Sequence, residues 1–154
     1  MTQKDLAVHM IQGVKETFQA MIPIPLSIGK ITSQNREELV DCISAVVGIA
    51  GSISVLVDIC CTKPAALEIA SALLDEKVAE MNEEVLDAVG ELANLLAGTM
   101  KGKLSTPNSR LELTVPFVIS GDRYTIKRPV NSLSVQVPFL LNNINRFEFT
   151  VVVR

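Results

Sequence analysis

The chain has no tryptophan, one tyrosine, one histidine and three cysteines in 154 residues, and each scarcity excludes a class of function. With no aromatic platform and a formal net charge of −3 in place of a basic stripe, nothing is offered for nucleic-acid bases to stack on or for phosphates to pair with. Cys42, Cys60, Cys61 and His9 show no zinc-ligand spacing, so no metal bound by the chain is expected. Cys60 and Cys61 are adjacent on an extended segment and point to opposite faces. They read as small core residues, or as one core and one surface thiol, and not as a redox pair. His9 has no Ser, Cys or Asp constellation around it and reads as a surface or boundary residue of the first helix.

Long apolar runs are missing as well. The stretch from Cys42 to Ile59 is broken by Ser, Gly and Asp, short of the ~18 uninterrupted residues of a membrane span. The first residues, Met-Thr-Gln-Lys-Asp, lead into an amphipathic pattern and not into a signal peptide, so a cytoplasmic protein without membrane insertion is expected. There is no Gly-x-x-x-x-Gly-Lys loop to cradle a nucleotide.

What remains is ample apolar material, 48% of residues, enough for one domain spanning residues 1–154 with a substantial core. The pattern predicts a helix from Lys4 to Met21, stopped by Pro23 and Pro25, and a strand near Leu26 to Ser33. Gln34 to Glu38 reads as a connection. Strands over Leu39 to Val47 and Ser52 to Ile59 follow, joined by a hairpin at Gly48-Ile-Ala-Gly51. Lys63-Pro64 opens a helix to Leu74. A second helix runs from Asn82, a cap, to Gly102, a stop. Extended runs are expected over Arg110 to Ser120, Tyr124 to Pro129, Leu133 to Leu140 and Asn145 to Val153, with Asn142-Asn143 as the last turn. The order gives an α+β fold, helices packed on a largely antiparallel sheet.

Polar residues gather with an evident purpose in one place, the helix beginning near Asn82. At about 100° per residue, Glu84, Asp87, Glu91, Asn94 and Gly98 share a sector of roughly 80°, and Val85, Val89, Leu92, Leu96 and Met100 lie opposite. Glu91 and Asn94 stand one turn apart, so both side chains can enter one small site. An asparagine amide is no general base, but it carries a donor and an acceptor, which is what holding one water requires. From Asp75 to Glu91 seven acids face one cation, Lys77. This run suits a helix N-terminus and would repel nucleic acid.

The stretch Met81 to Leu104, with Asp87, Glu91 and Asn94 in an Asp-x-x-x-Glu-x-x-Asn pattern, resembles the signature helix of the CheC/CheX/FliY family, phosphatases of CheY-type chemotaxis response regulators. The family pattern ends in a proline about 22 residues further on. Pro116 follows Asn94 after 21 residues, a departure of one. A single copy of the motif resembles the CheX branch and its fold.

The resemblance implies that the chain hydrolyses the phospho-aspartate of a phosphorylated CheY-type regulator. It implies that Glu91 pairs with the regulator's active-site lysine and that Asn94 orients the attacking water. Glu84, Asp87, Leu95 and Gly98 are then candidate partner contacts. The Mg²⁺ belongs to the regulator, and no cofactor is expected on this chain. A homodimer joined through sheet edges is a further implication. Two other readings stay open: a non-catalytic module that binds a regulator or a flagellar-switch or signalling complex, and an oligomeric structural domain with no phosphorelay role.

Overall fold

Each of the three helices starts at a side-chain cap. In the computed structural model, which describes residues 1–154, α1 spans Gln3–Met21. Thr2 Oγ1 accepts the Asp5 N–H at 3.1 Å and the Thr2 N–H returns to the Asp5 carboxylate at 2.9 Å, a reciprocal capping box. Helix α2, Lys63–Leu74, is capped by Thr62 and carries Pro64 in its first turn, where a missing N–H costs nothing. Helix α3, Glu83–Leu104, starts where Asn82 Oδ1 accepts the Val85 N–H at 3.0 Å. Acids in its first turn and Lys101 and Lys103 in its last complement the helix dipole. Gly102 does not stop α3. It sits exposed with open space around it, and the helix runs on to Leu104.

Seven strands form one antiparallel sheet: β1 (Leu26–Ile28), β2 (Arg36–Gly51), β3 (Val55–Thr62), β4 (Leu111–Leu113), β5 (Phe117–Lys127), β6 (Leu133–Leu141) and β7 (Asn145–Val153). Their order is β1-β6-β7-β3-β2-β4, with β5 also paired to β2. The expected strand from Leu26 to Ser33 shrinks to β1 plus a bridge between Thr32 and Gln136.

Two expectations fail around β2. Gln34 to Glu38 is not simply a connection, because β2 starts at Arg36 and pairs Arg36 to Val40 with β5 beyond the end of β3. Gly48 to Gly51 is not the hairpin turn. Those residues stay in the strand, paired with β3 and β4, and the turn falls at Ser52 to Ser54. Gly48 is needed for another reason: its N–H donates to Thr114 Oγ1 at 2.8 Å, and a Cβ would press on that threonine at 3.2 Å.

Downstream, the expected run from Arg110 to Ser120 divides at Thr114-Val-Pro116 into β4 and β5, since Pro116 has no N–H to donate to a ladder. β5 then continues through Gly121 and absorbs most of the run expected from Tyr124 to Pro129. Asn142 and Asn143, at φ 53° and 61°, make the left-handed turn that a tight hairpin demands.

Alternation along the strands decides the layers. Val55, Val57, Ile59 and Cys61 on β3, and Phe147, Phe149 and Val151 on β7, are buried on the inner face beneath the helices. Phe147 stacks between Phe18 of α1 and Phe139 of β6, with ring centroids 5.5 and 5.1 Å away. This wall of apolar side chains fixes α3 by its Val89, Leu92 and Leu96 face and leaves the opposite face free.

Candidate active site

The burial of α3 follows the sequence pattern turn by turn. Val85, Val89, Leu92, Leu96 and Met100 are buried, Glu84, Asp87 and Glu91 are exposed, and Asn94, Leu95 and Gly98 are half-buried. The rigid, apolar-backed half of the helix therefore holds Glu91 and Asn94 side by side on its outer surface. Neither has a side-chain hydrogen bond to the rest of the chain: Glu91 reaches no cation, and both the oxygen and the nitrogen of the Asn94 carboxamide are left to engage another molecule.

Two edges flank this face. On one side α1 packs closely. Gly13 lies against Thr99, Thr17 Oγ1 and Thr99 Oγ1 are 3.4 Å apart, and Lys103 Nζ donates to Glu16 at 3.0 Å. On the other side β5 closes on Gly90, where a Cβ would come 3.1 Å from Val118 Cγ2. Gly98 is less confined, with Leu113 at an ordinary 3.9 Å. The glycine between Asp87 and Glu91 is thus explained by packing within the chain.

Sequence reasoning missed this β5 rim. Val115 and Phe117 are 80% and 75% exposed, large apolar side chains just before and at the start of the strand that abuts the motif helix. The signal was the Val115-Pro116-Phe117 break, which reads as strand in a pattern search but forces the chain out of the ladder. Pro116 itself is half-buried between β4 and β5, on the same side of the molecule as Gly90 and Gly98.

The shape of the surface limits its chemistry. Glu91 and Asn94 line none of the larger grooves. A groove of about 550 Å³ lies at the start of α3 instead, against Asn82, Glu83 and Leu86. A small substrate needs a concave site that surrounds it. Glu91 and Asn94 project from a helix face and not into such a cavity. No cluster of His, Cys, Asp and Glu has the makings of a metal site, and no helix is long and apolar enough to cross a membrane.

The three cysteines are as inert as their positions suggest. Cys60 and Cys61 are both buried, on opposite faces of β3, and burial pushes both thiols up. Cys42 is half-buried and likewise raised by desolvation. His9 is half-buried on α1.

Comparison with known proteins converges on one group. Residues 43–140, which include α2, α3 and most of the sheet, match the family described as chemotaxis phosphatase CheX. The CheY-P phosphatase CheX of Thermotoga maritima is 29% identical over 119 residues, 77% of each chain. The CheX crystal structure from Desulfovibrio desulfuricans is 25% identical and superposes with a TM-score of 0.82, covering 97% of this chain and 99% of that one. The fold is shared with a Borrelia burgdorferi CheX solved in complex with CheY, BeF3 and Mg²⁺, at 22% identity and a TM-score of 0.77 over 96% and 97% of the two chains.

Proposed function

The chain belongs to the CheX family of chemotaxis phosphatases, and from that premise we propose that it hydrolyses the aspartyl phosphate of a CheY-type response regulator. The observation that carries this reading is the pair Glu91 and Asn94, one turn apart on the outer face of a helix whose other face is locked in the core. A convex site of this kind needs a partner with its own cleft, and a response regulator offers one that already holds the phosphoryl group, a lysine and Mg²⁺.

Glu91 enters beside the regulator's lysine and forms an ion pair that sets the register of the two proteins. Asn94 then hydrogen-bonds one water and aims a lone pair at phosphorus. The water oxygen bonds to phosphorus as the bond to the aspartyl oxygen breaks, leaving a free aspartate and inorganic phosphate. The regulator's metal carries the charge on the transferring group. This chain contributes position, the same contribution that a water-orienting glutamine makes in GTPases. Asp87 and Glu84, exposed one and two turns before Glu91, and Leu95 and Gly98 beyond it, form the surrounding contact surface.

A homodimer belongs to the same reading, and β5 is its edge. That strand is paired on one side only, to β2, and nine of its eleven residues are exposed, so its free side can accept another strand. The decay of a phosphorylated, Mg²⁺-loaded CheY-type regulator tests the proposal. Acceleration by catalytic amounts of this protein is the expected result. Unchanged decay despite binding would make the chain a capture module.

A further inference from the structure

The outer face of the sheet, turned away from the helices, is polar where the inner face is apolar. Ser44, Asp58, Gln136 and Thr150 are buried there. An arm made from the start of β2, residues 36–40, and the end of β5, residues 123–127, reaches this face: Tyr124 meets Ser44, Arg128 just past the arm meets Asp58, and Glu37 meets Gln136. The arm leaves the plane of the sheet at Asp41, which stands at φ 51° and drops out of the ladder between Val40↔Arg123 and Cys42↔Gly121.

Charged groups hold it down. Arg128, just past β5, forks onto Asp58 of β3, with Nε to Oδ2 at 2.8 Å and Nη2 to Oδ1 at 2.7 Å, and reaches Glu37 of β2 from Nη1 at 3.3 Å. Gln136 of β6 donates from its single amide nitrogen to Glu37 Oε2 at 2.6 Å and to Glu148 Oε2 of β7 at 2.8 Å. The orientation of that amide is fixed, because its oxygen accepts from Gln34 at 2.7 Å and from Thr32 at 3.2 Å. The two carboxylates are thereby drawn to one point.

The charge does not balance there. Glu37, Asp58 and Glu148 face two guanidinium groups, Arg128 and Arg146, the latter paired with Glu148. The other groups facing the cluster supply no positive charge. The Cys42 and Cys60 thiols are raised by burial and stay neutral, Tyr124 is pushed up to about 12, and Glu38 turns outward to Arg36. One proton held on Glu148 removes the surplus.

We propose that Glu37 and Glu148, brought together on the Gln136 amide, form a proton-dependent latch that keeps the β2–β5 arm on the outer face of the sheet, and that loss of the Glu148 proton loosens the arm. Burial, with Glu37 alongside, raises Glu148 to about 7, so the latch changes state near neutrality. A cavity of about 260 Å³ beside the pair gives the proton a route to solvent.

The chain carries its own probe. Tyr124 is the only tyrosine, there is no tryptophan, and its hydroxyl meets Ser44 Oγ at 2.7 Å across the closed arm. Acrylamide quenching of its fluorescence, measured across the neutral range, reports how exposed the arm is. The native protein should show a rise in the quenching constant that is half complete near pH 7. Glu148→Gln keeps the shape of a protonated carboxyl and should stay low and flat. Glu37→Gln, an independent removal of the same repulsion, should do likewise. A flat native profile, or a Glu148→Gln or Glu37→Gln profile with the native midpoint, would overturn the latch.

Discussion

Gly90 and Val118 meet across the motif helix and the edge strand, so closely that a Cβ on the glycine would lie 3.1 Å from Val118 Cγ2. The contact seats β5 against α3 between Asp87 and Glu91, and so sets what flanks the candidate catalytic face. Val118 is 36% exposed on an edge strand and can yield by a few tenths of an ångström. Gly90→Ala should therefore gain up to about 1 kcal/mol of helix propensity, read as a higher urea midpoint. Gly90→Leu cannot be fitted this way. It should displace β5, lower the midpoint and reduce turnover, and an undisturbed Gly90→Leu protein would show that the contact positions nothing.

Glu91 should act on docking as well as rate. Removing one partner of an interfacial ion pair costs orientation and leaves the regulator's lysine unmatched, so Glu91→Ala should weaken binding to a phosphorylated regulator by about 10-fold or more. Titration of the charged regulator by calorimetry reads this directly. Equal affinities for native and variant would remove the ion pair from the mechanism.

The β5 edge makes a prediction about assembly. Phe117 is 75% exposed at the start of that strand, where a buried charge in a strand-to-strand joint would be costly. Phe117→Glu should stay folded and sediment as a monomer of 16.7 kDa, while the native chain sediments as a dimer. Dimers of undiminished affinity in the variant would place the interface elsewhere.

The helix and its paired residues were legible in the sequence because period, cap and motif agreed: Asn82 caps, the Val89, Leu92 and Leu96 face is buried, and Glu91 and Asn94 face out. α2 fell on its expected bounds for the same reason, a Thr-Lys-Pro start being unambiguous. β2 was misread because what prolongs it is remote. Residues 36–40 have no β3 partner and are extended only because β5 pairs with them. Gly48 looked like a turn because the threonine that needs its missing side chain lies 66 residues away. The polar cluster on the outer face was invisible for a related reason. Glu37, Asp58, Arg128, Gln136 and Glu148 are isolated in sequence and meet only through the register of five strands.

That cluster gives stability a pH dependence of defined sign. Glu148 is raised from 4.5 to about 7 in the folded chain, so the fold favours the protonated group. Its stabilisation is complete below the unfolded value and disappears as pH rises through about 7, an effect of at most about 3 kcal/mol. Urea unfolding followed by Tyr124 fluorescence should show native stability falling, relative to Glu148→Gln, between about pH 5 and about pH 8. Parallel pH profiles for the two proteins would contradict that sign.

The most direct test of the central claim compares the native chain with Asn94→Ala on a phosphorylated, Mg²⁺-loaded CheY-type regulator. Loss of one preorganised catalytic hydrogen-bonding group costs about 10²-fold in rate. The half-buried side chain of Asn94 bonds to nothing else in the fold, so the variant should remain folded and still bind. The account predicts fast phosphate release with the native protein and decay within reach of the unassisted rate with Asn94→Ala. Native-like release by a folded Asn94→Ala protein would contradict it.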